Sequence, residues 1–220
     1  NGNGPGLHGR VEESGRRFVH FVLLWFCGFL TRMSRTLFAA DIHLTPGDPA
    51  RHRSFLDFLE AKRPGLEALY LLGDVFDYWI GPKHVTSPDY GGVLNSFREL
   101  TSTRVAIHII PGNRDYFVDE KFEWATGVRV LGESTTIHLG GRKVLLAHGD
   151  FIYNKNPKYT AYRRLMKFKP LQVAYRSMPS GMGKGIARGF KKVSKKTTAA
   201  HAWTREEIVE GARSLFERGA

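Results

Sequence analysis

The chain has 220 residues, 42% of them hydrophobic, a single cysteine (Cys27) and a formal net charge of +12. That is apolar material for one sizeable core, and a lone cysteine excludes a disulfide framework. The charge is local, because residues 151–205 hold 14 Lys and Arg and no acid, leaving 19 basic against 21 acidic residues elsewhere, a net of −2.

Residues 1–15 are glycine-rich and polar and predict no packed structure. Arg16 and Arg17 precede an apolar run of 13 residues, Phe18 to Leu30, broken by His20 and Gly28. A basic flank before a short apolar stretch has the form of a signal peptide, but no small-residue cleavage site follows. The run is also shorter than the roughly 20 residues of a membrane span. Three readings stay open: a true start at Met33 with the preceding residues an artefact, a membrane-surface anchor, or an export signal.

Four apolar runs then end abruptly in polar residues. Thr36 to Ala40 leads into Asp41-Ile42-His43, and Leu69 to Leu72 into Gly73-Asp74-Val75-Phe76-Asp77. Val105 to Ile110 leads into Pro111-Gly112-Asn113-Arg114-Asp115, and Val144 to Ala147 into His148-Gly149-Asp150. Short apolar runs bounded by glycine predict buried strands of a parallel sheet. Between them, Phe55, Leu56, Phe58 and Leu59 predict a helix over Pro49 to Lys62, and Val93, Leu94, Phe97 and Leu100 a second one. Phe117, Val118, Phe122, Trp124 and Ala125 predict a short third helix ended by Gly127. Alternation at Val128 to Val130 and Thr135 to Leu139, then Gly140-Gly141, predicts a hairpin feeding the strand at Val144. His138, alternating with apolar neighbours, reads as a strand residue and not a ligand. The aromatic stretch Tyr78-Trp79-Ile80 has two readings, a loop packed back on the core or one wall of a cleft.

Beyond Asp150 the character changes. Phe168 to Phe190 mixes apolar side chains with lysine, arginine and glycine, and Ser180 to Gly189 suits a hinge between helices. Thr204-Arg205-Glu206-Glu207 is a capping box opening a last helix. Such a basic, aromatic, glycine-interrupted segment can be a solvated helical face or a nucleic-acid binder. The reading preferred here is a lid on an anionic lipid surface.

If the four strands share one sheet, residues just past their carboxyl ends meet in space although they lie 33 to 39 positions apart. The pooled set is Asp41, His43, Asp74, Asn113 and His148, all oxygen and imidazole nitrogen. It suits divalent ions such as Mn²⁺, Mg²⁺, Fe²⁺ or Zn²⁺, and five ligands exceed what one open site takes from protein. A two-metal centre bridged by Asp74 is the economical reading. A lone Asp after a strand is normally a helix cap or turn residue; four such endings at one sheet edge argue otherwise.

Asp41-x-His43, Gly73-Asp74-x-x-Asp77, Gly112-Asn113-x-Asp115 and His148-Gly149-Asp150 resemble the motifs of the calcineurin-like metallophosphoesterases. The resemblance implies an α/β sheet sandwich with a helical cap inserted after His148-Gly149-Asp150. It also implies a closing Gly-His-x-His motif with two more ligands, which these 220 residues do not contain. Where most of that superfamily has His after the Asn, this chain has Arg114. Arginine cannot be a general acid at neutral pH, but its planar fork can hold a diphosphate through paired hydrogen bonds. Gly-Asn-Arg-Asp is similar to one branch, the UDP-2,3-diacylglucosamine diphosphatases of lipid A synthesis. The resemblance covers about residues 36–215.

That branch implies Mn²⁺ as the metal, and substrate contacts at Asn113, Arg114, Asn156, Tyr159, Ser194, Thr198 and His201. Relatives carry Asp, Asn and Lys where this chain has Asn156, Thr198 and His201. The expected organisation is an extension over 1–32, a phosphoesterase core over 33–150, a basic cap over 151–202 and a returning helix over 203–220. Asp74, Asn113 and Arg114 are the catalytic candidates. The expected reaction splits a UDP-linked diacylated glucosamine into UMP and the acylated sugar 1-phosphate, at the cytoplasmic face of the inner membrane. Two rivals are another phosphodiesterase, pyrophosphatase or nuclease of the same superfamily, against which Arg114 speaks, and a non-catalytic membrane-binding module. The oligomeric state is not legible in the sequence.

Overall fold

The computed structural model describes residues 35–79, 81–150, 157–177 and 205–219. Strand β1 (Arg35–Ala39) is followed by α1 (Pro49–Lys62), β2 (Leu66–Leu72), a 3₁₀ turn (Pro82–Thr86), α2 (Gly91–Ser102), β3 (Ala106–Ile110), α3 (Glu120–Thr126) and β4 (Arg129–Val130). The four strands form one parallel sheet in the order β1-β2-β3-β4. Parallel neighbours require a crossover, and α1, α2 and α3 supply one each.

Local sequence explains the helices. Asp48 caps α1 by accepting the Arg51 N–H at 3.0 Å, with Pro49 in the first turn, where a missing donor costs nothing. Phe55 and Leu59 of α1, and Val93, Leu94, Phe97 and Leu100 of α2, are buried on the sheet as their spacing predicts. Asp119 caps α3, and Gly127 ends it in the left-handed conformation at φ 72°.

The fourth ligand-bearing strand departs from expectation. β6 (Arg142–Ala147) is not in the parallel sheet; it pairs antiparallel with β5 (Ser134–Leu139) in a separate two-stranded sheet. Gly140 and Gly141, at φ 56° and 74°, make a two-residue turn, which leaves no length for a crossover and forces antiparallel pairing. The Val128 to Val130 alternation, expected in that hairpin, instead supplies β4, because α3 returns it to the sheet edge. Leu146 of the hairpin is buried with Phe38 and Ile110, so the hairpin covers the sheet face opposite the helices. His138 is exposed on β5.

The main core lies between sheet and helices. Phe76, Trp79, Tyr90 and Phe122 pack there with ring centroids 4.7 to 6.0 Å apart. Trp79 is buried, so at that residue the aromatic stretch packs back on the core and does not wall a cleft. Each such ring contributes about 2–3 kcal/mol by leaving water, which in Trp79 is set against an Nε1 donor that finds no hydrogen-bond partner among the described residues.

After Asp150 come α4 (Pro157–Lys167), α5 (Lys169–Ser177) and a helix over Arg205–Gly219, which opens where the capping box predicts. Tyr159, Tyr162 and Met166 of α4 are buried in the main core, so this helix is packed as part of the body. Leu165, Phe168 and Val173 are left exposed. No helix among the described residues is long and apolar enough to cross a membrane. The run Phe18 to Leu30, the hinge at Ser180 to Gly189, and Asn156, Ser194, Thr198 and His201 lie outside the described residues.

Candidate metal centre

The loops after β1 and β2 continue the parallel ladder past the strands. Asp41 N–H donates to Gly73 O at 3.1 Å, His43 N–H to Asp74 O at 2.9 Å and Leu44 N–H to Val75 O at 2.8 Å. Along this seam Asp41, His43 and Asp74 all have left-handed backbones, at φ 55°, 51° and 51°. Residues with a Cβ adopt that conformation at a cost of about 1–2 kcal/mol each, and such strain gathers at sites that need a particular side-chain direction. Arg51 holds the first loop, its guanidinium donating to Ile42 O at 3.3 Å and His43 O at 3.4 Å.

The side chains converge. Ligand atoms of Asp41, Asp74 and His148 all lie within 4.8 Å of one another. His43 Nε2 is 3.8 Å from Asp41 Oδ1 and 4.0 Å from Asp74 Oδ2, while His148 Nε2 is 3.7 Å from Asp74 Oδ1. The two oxygens of Asp74 therefore face two different imidazoles. His148 arrives on the hairpin and not on the parallel sheet, yet reaches the place the sequence assigned it. Asn113 is buried in the turn after β3, next to Arg114, whose backbone N–H donates to Asp74 Oδ1 at 3.0 Å.

Two glycines make the approach possible. A Cβ on Gly73, which sits at φ 85°, would come within 2.5 Å of the His148 ring; one on Gly112 would land on the Asp74 carboxylate. Asp115, fully buried, fastens the turns together: one oxygen accepts the Gly112 N–H at 2.6 Å, the other the Val75 N–H at 2.8 Å. Asp115 was visible in the Gly-Asn-x-Asp motif, but nothing in sequence spacing told a clamp from a ligand.

The electrostatics fit a cation. His148 Nδ1 lies 2.8 Å from Leu72 O and donates to it, which turns Nε2 towards Asp74. Burial, reinforced by the Arg114 cation, pushes the His43 pKa down to about 4, so its ring is neutral with a lone pair to offer. Its Nδ1 is buried with no hydrogen-bond partner among the described residues. Burial, with the Asp115 carboxylate adding to it, pushes the Asp74 pKa up despite His148 and Arg114. Two donors each about 2.1 Å from one ion lie no more than about 4.2 Å apart, and the separations of 3.7 to 4.0 Å fall within that limit. Burial opposes a charge on His148, but the Asp74, Asp150 and Asp41 carboxylates outweigh it and hold its pKa above the usual value; that cluster of carboxylates beside a neutral His43 fits a divalent cation.

Arg114 stands at the same centre, with Nε 3.5 Å from Asp74 Oδ2 and Nη1 3.2 Å from Asp77 Oδ1. Residues 34–201 match the calcineurin-like phosphoesterase family. The chain belongs to that family. This phosphoesterase chain is 37% identical over 169 residues to a UDP-2,3-diacylglucosamine hydrolase of Edwardsiella ictaluri, a match covering 77% of this chain and 65% of that protein. It is 34% identical over 182 residues to one of Xanthomonas campestris, covering 83% and 70%, and 32% identical over 177 residues to one of Aeromonas hydrophila, covering 80% and 73%. The chain thus spans about two thirds of the length of these relatives.

Of the residues beyond Asp150 assigned to substrate, Tyr159 is described. It is buried, and its hydroxyl donates to Asp150 Oδ2, which also accepts from the Tyr116 hydroxyl at 3.5 Å. Burial beside the Asp150 carboxylate pushes both phenols up, so both remain protonated donors.

Proposed function

We propose that this phosphoesterase chain hydrolyses the diphosphate of a UDP-linked, diacylated glucosamine, giving UMP and the acylated sugar 1-phosphate. The observation that carries the reading is Arg114 set between Asp74 and Asp77 at the lip of the metal centre. The names of the relatives support the substrate class.

Asp41, His43, Asp74, Asn113 and His148 are the residues that would hold two divalent ions, Mn²⁺ on the family resemblance, with each oxygen of Asp74 facing a different imidazole. Bound there, the ions lower the pKa of water towards neutrality and offset charge on the attacked phosphorus. The protein's own part is positional. The Asp115 clamp and the Gly73 and Gly112 turns hold the ligands before substrate arrives, so little ordering is left to the reacting complex. Arg114, always charged, exchanges its carboxylate partners for diphosphate oxygens and orients the scissile linkage with a bidentate fork.

The basic stretch 151–205 and the exposed Leu165, Phe168 and Val173 support docking of residues 151–202 on an anionic membrane surface, at the cytoplasmic face of the inner membrane. Asn156, Ser194, Thr198 and His201 are the proposed contacts to the acylated sugar. Because Tyr159 already donates to Asp150, its proposed role in substrate binding is through the ring or through α4.

The test is an assay of full-length protein with Mn²⁺ on the UDP-lipid, on bis-p-nitrophenyl phosphate and on single-stranded DNA, with EDTA controls. A kcat/KM for the UDP-lipid at least 100-fold above the others, lost with EDTA, is the expected result. A preference for either of the other substrates would replace this reading with that of a general phosphodiesterase or nuclease.

A further inference from the structure

Asp150 lies two residues beyond His148, across Gly149 at φ 97°, and is not among the metal-ligand candidates. Its Oδ2 receives two hydroxyls from different parts of the chain. One is Tyr116, next to Asp115 in the turn that carries Asn113 and Arg114; the other is Tyr159, in the first turn of α4. A single carboxylate oxygen therefore joins the His148 turn, the Asn113 turn and the first helix of the basic segment.

We infer that Asp150 is a positioning residue for His148, and that Tyr116 and Tyr159 hold it in place, so that the docking of α4 is felt at the metal centre. The inference rests on the metal-centre reading above. The His148 ring is held by its Nδ1 on Leu72 O at 2.8 Å and faces Asp74 Oδ1 through Nε2 at 3.7 Å. Those contacts set the ring's tautomer and tilt and act on the side chain, not on the turn that carries it. Asp150 fastens the turn itself, which Gly149 would otherwise let swing. A hydroxyl donor to a carboxylate is strengthened where water is excluded; Tyr159 is buried, and Tyr116, half-buried, makes the longer contact of the two at 3.5 Å.

The other end of α4 provides a control. Arg163 and Lys167 both pair with Glu133, which precedes β5. Both contacts dock α4, but of the two it is the Asp150 node that hydrogen-bonds to a turn carrying candidate ligands. Outer-shell partners of this type are worth 10 to 100-fold in metal affinity.

The experiment measures Mn²⁺ affinity of full-length protein by equilibrium dialysis, with thermal unfolding alongside, for wild type, the double variant Tyr116→Phe/Tyr159→Phe, Tyr159→Phe alone, and Glu133→Gln. The double variant is expected to bind Mn²⁺ at least tenfold more weakly, and Tyr159→Phe at least threefold. Glu133→Gln should stay within twofold of wild type even though it too loosens α4. Should the double variant fail to fold, Tyr159→Phe carries the test alone, since Tyr116 still donates to Asp150. Affinity within twofold of wild type in the folded tyrosine variants would overturn the inference. So would an equal loss in Glu133→Gln, which would make the effect one of general docking. A wild-type protein that binds no Mn²⁺ would overturn the metal-centre reading itself.

Discussion

Asp115 accepts the backbone N–H of Val75 at 2.8 Å from 40 positions away, and neither residue touches solvent. With its other oxygen on Gly112 N–H at 2.6 Å, the carboxylate fixes the spacing of two turns, one carrying Asp74 and the other Asn113 and Arg114. The metal centre is therefore built by a residue that need not ligate anything.

Asp115→Asn should be among the most damaging single changes. The amide replaces one accepting oxygen with an NH₂ that faces backbone N–H groups. A buried donor left unpaired, together with the loss of a charge-assisted bond, costs about 3 kcal/mol. Urea denaturation would show a lowered midpoint with an unchanged m-value; an unchanged midpoint would mean the clamp is dispensable.

Gly112→Ala should abolish metal binding while leaving the sheet intact, because the new methyl occupies the position of the Asp74 carboxylate. Circular dichroism and metal content measured on the same sample separate the two outcomes. Retention of full metal stoichiometry would show that the turn can give way.

Asp74→Ala should cost more than 1000-fold in kcat/KM, about 4 kcal/mol of barrier, with the protein still folded. The side chain faces both imidazoles, so its loss removes a contact to each proposed ion. Activity above about a tenth of wild type, with both metals retained, would refute the bridging role.

Arg114→Lys keeps the charge and loses the fork. If the guanidinium grips a diphosphate, transition-state stabilisation should fall by about 2 kcal/mol on the UDP-lipid and change little on bis-p-nitrophenyl phosphate. Arg114→His should shift the kcat/KM ratio further towards the simple diester. A constant ratio across wild type and both variants would leave Arg114 serving only Asp74 and Asp77.

Glu133 gives a pH dependence. Burial alone would raise its pKa, but hydrogen bonds from Lys167 and Arg163 outweigh that and hold it below the usual value. A depressed carboxylate pKa stabilises the fold above the unfolded value, about 4.3, and loses that stabilisation as pH falls through the folded one. The side chain is 40% exposed, so solvent screening limits the gain to about 1 kcal/mol. Amide exchange in α4 should be faster in Glu133→Gln than in wild type at pH 7, with the difference fading towards pH 3. A difference that persisted in acid would assign the effect to packing instead of charge.

The sequence by itself determined the alternation of strands and crossover helices, down to the faces of α1 and α2, because burial periodicity and caps are local properties. It also brought out the candidate ligands, since Asp, His and Asn placed just past apolar runs have few other uses in such numbers. Tertiary structure alone decided that the fourth ligand arrives on a separate antiparallel hairpin, as the Gly140-Gly141 turn says how two strands pair but not which sheet they join. It decided that Trp79 belongs to the core, a choice made by Phe76, Tyr90 and Phe122 converging from distant positions. The roles of Asp115 and Asp150 were likewise out of reach of spacing. A carboxylate written in a motif can ligate, clamp or position, and the difference lies in which donors surround it: Val75 and Gly112 in one case, Tyr116 and Tyr159 in the other.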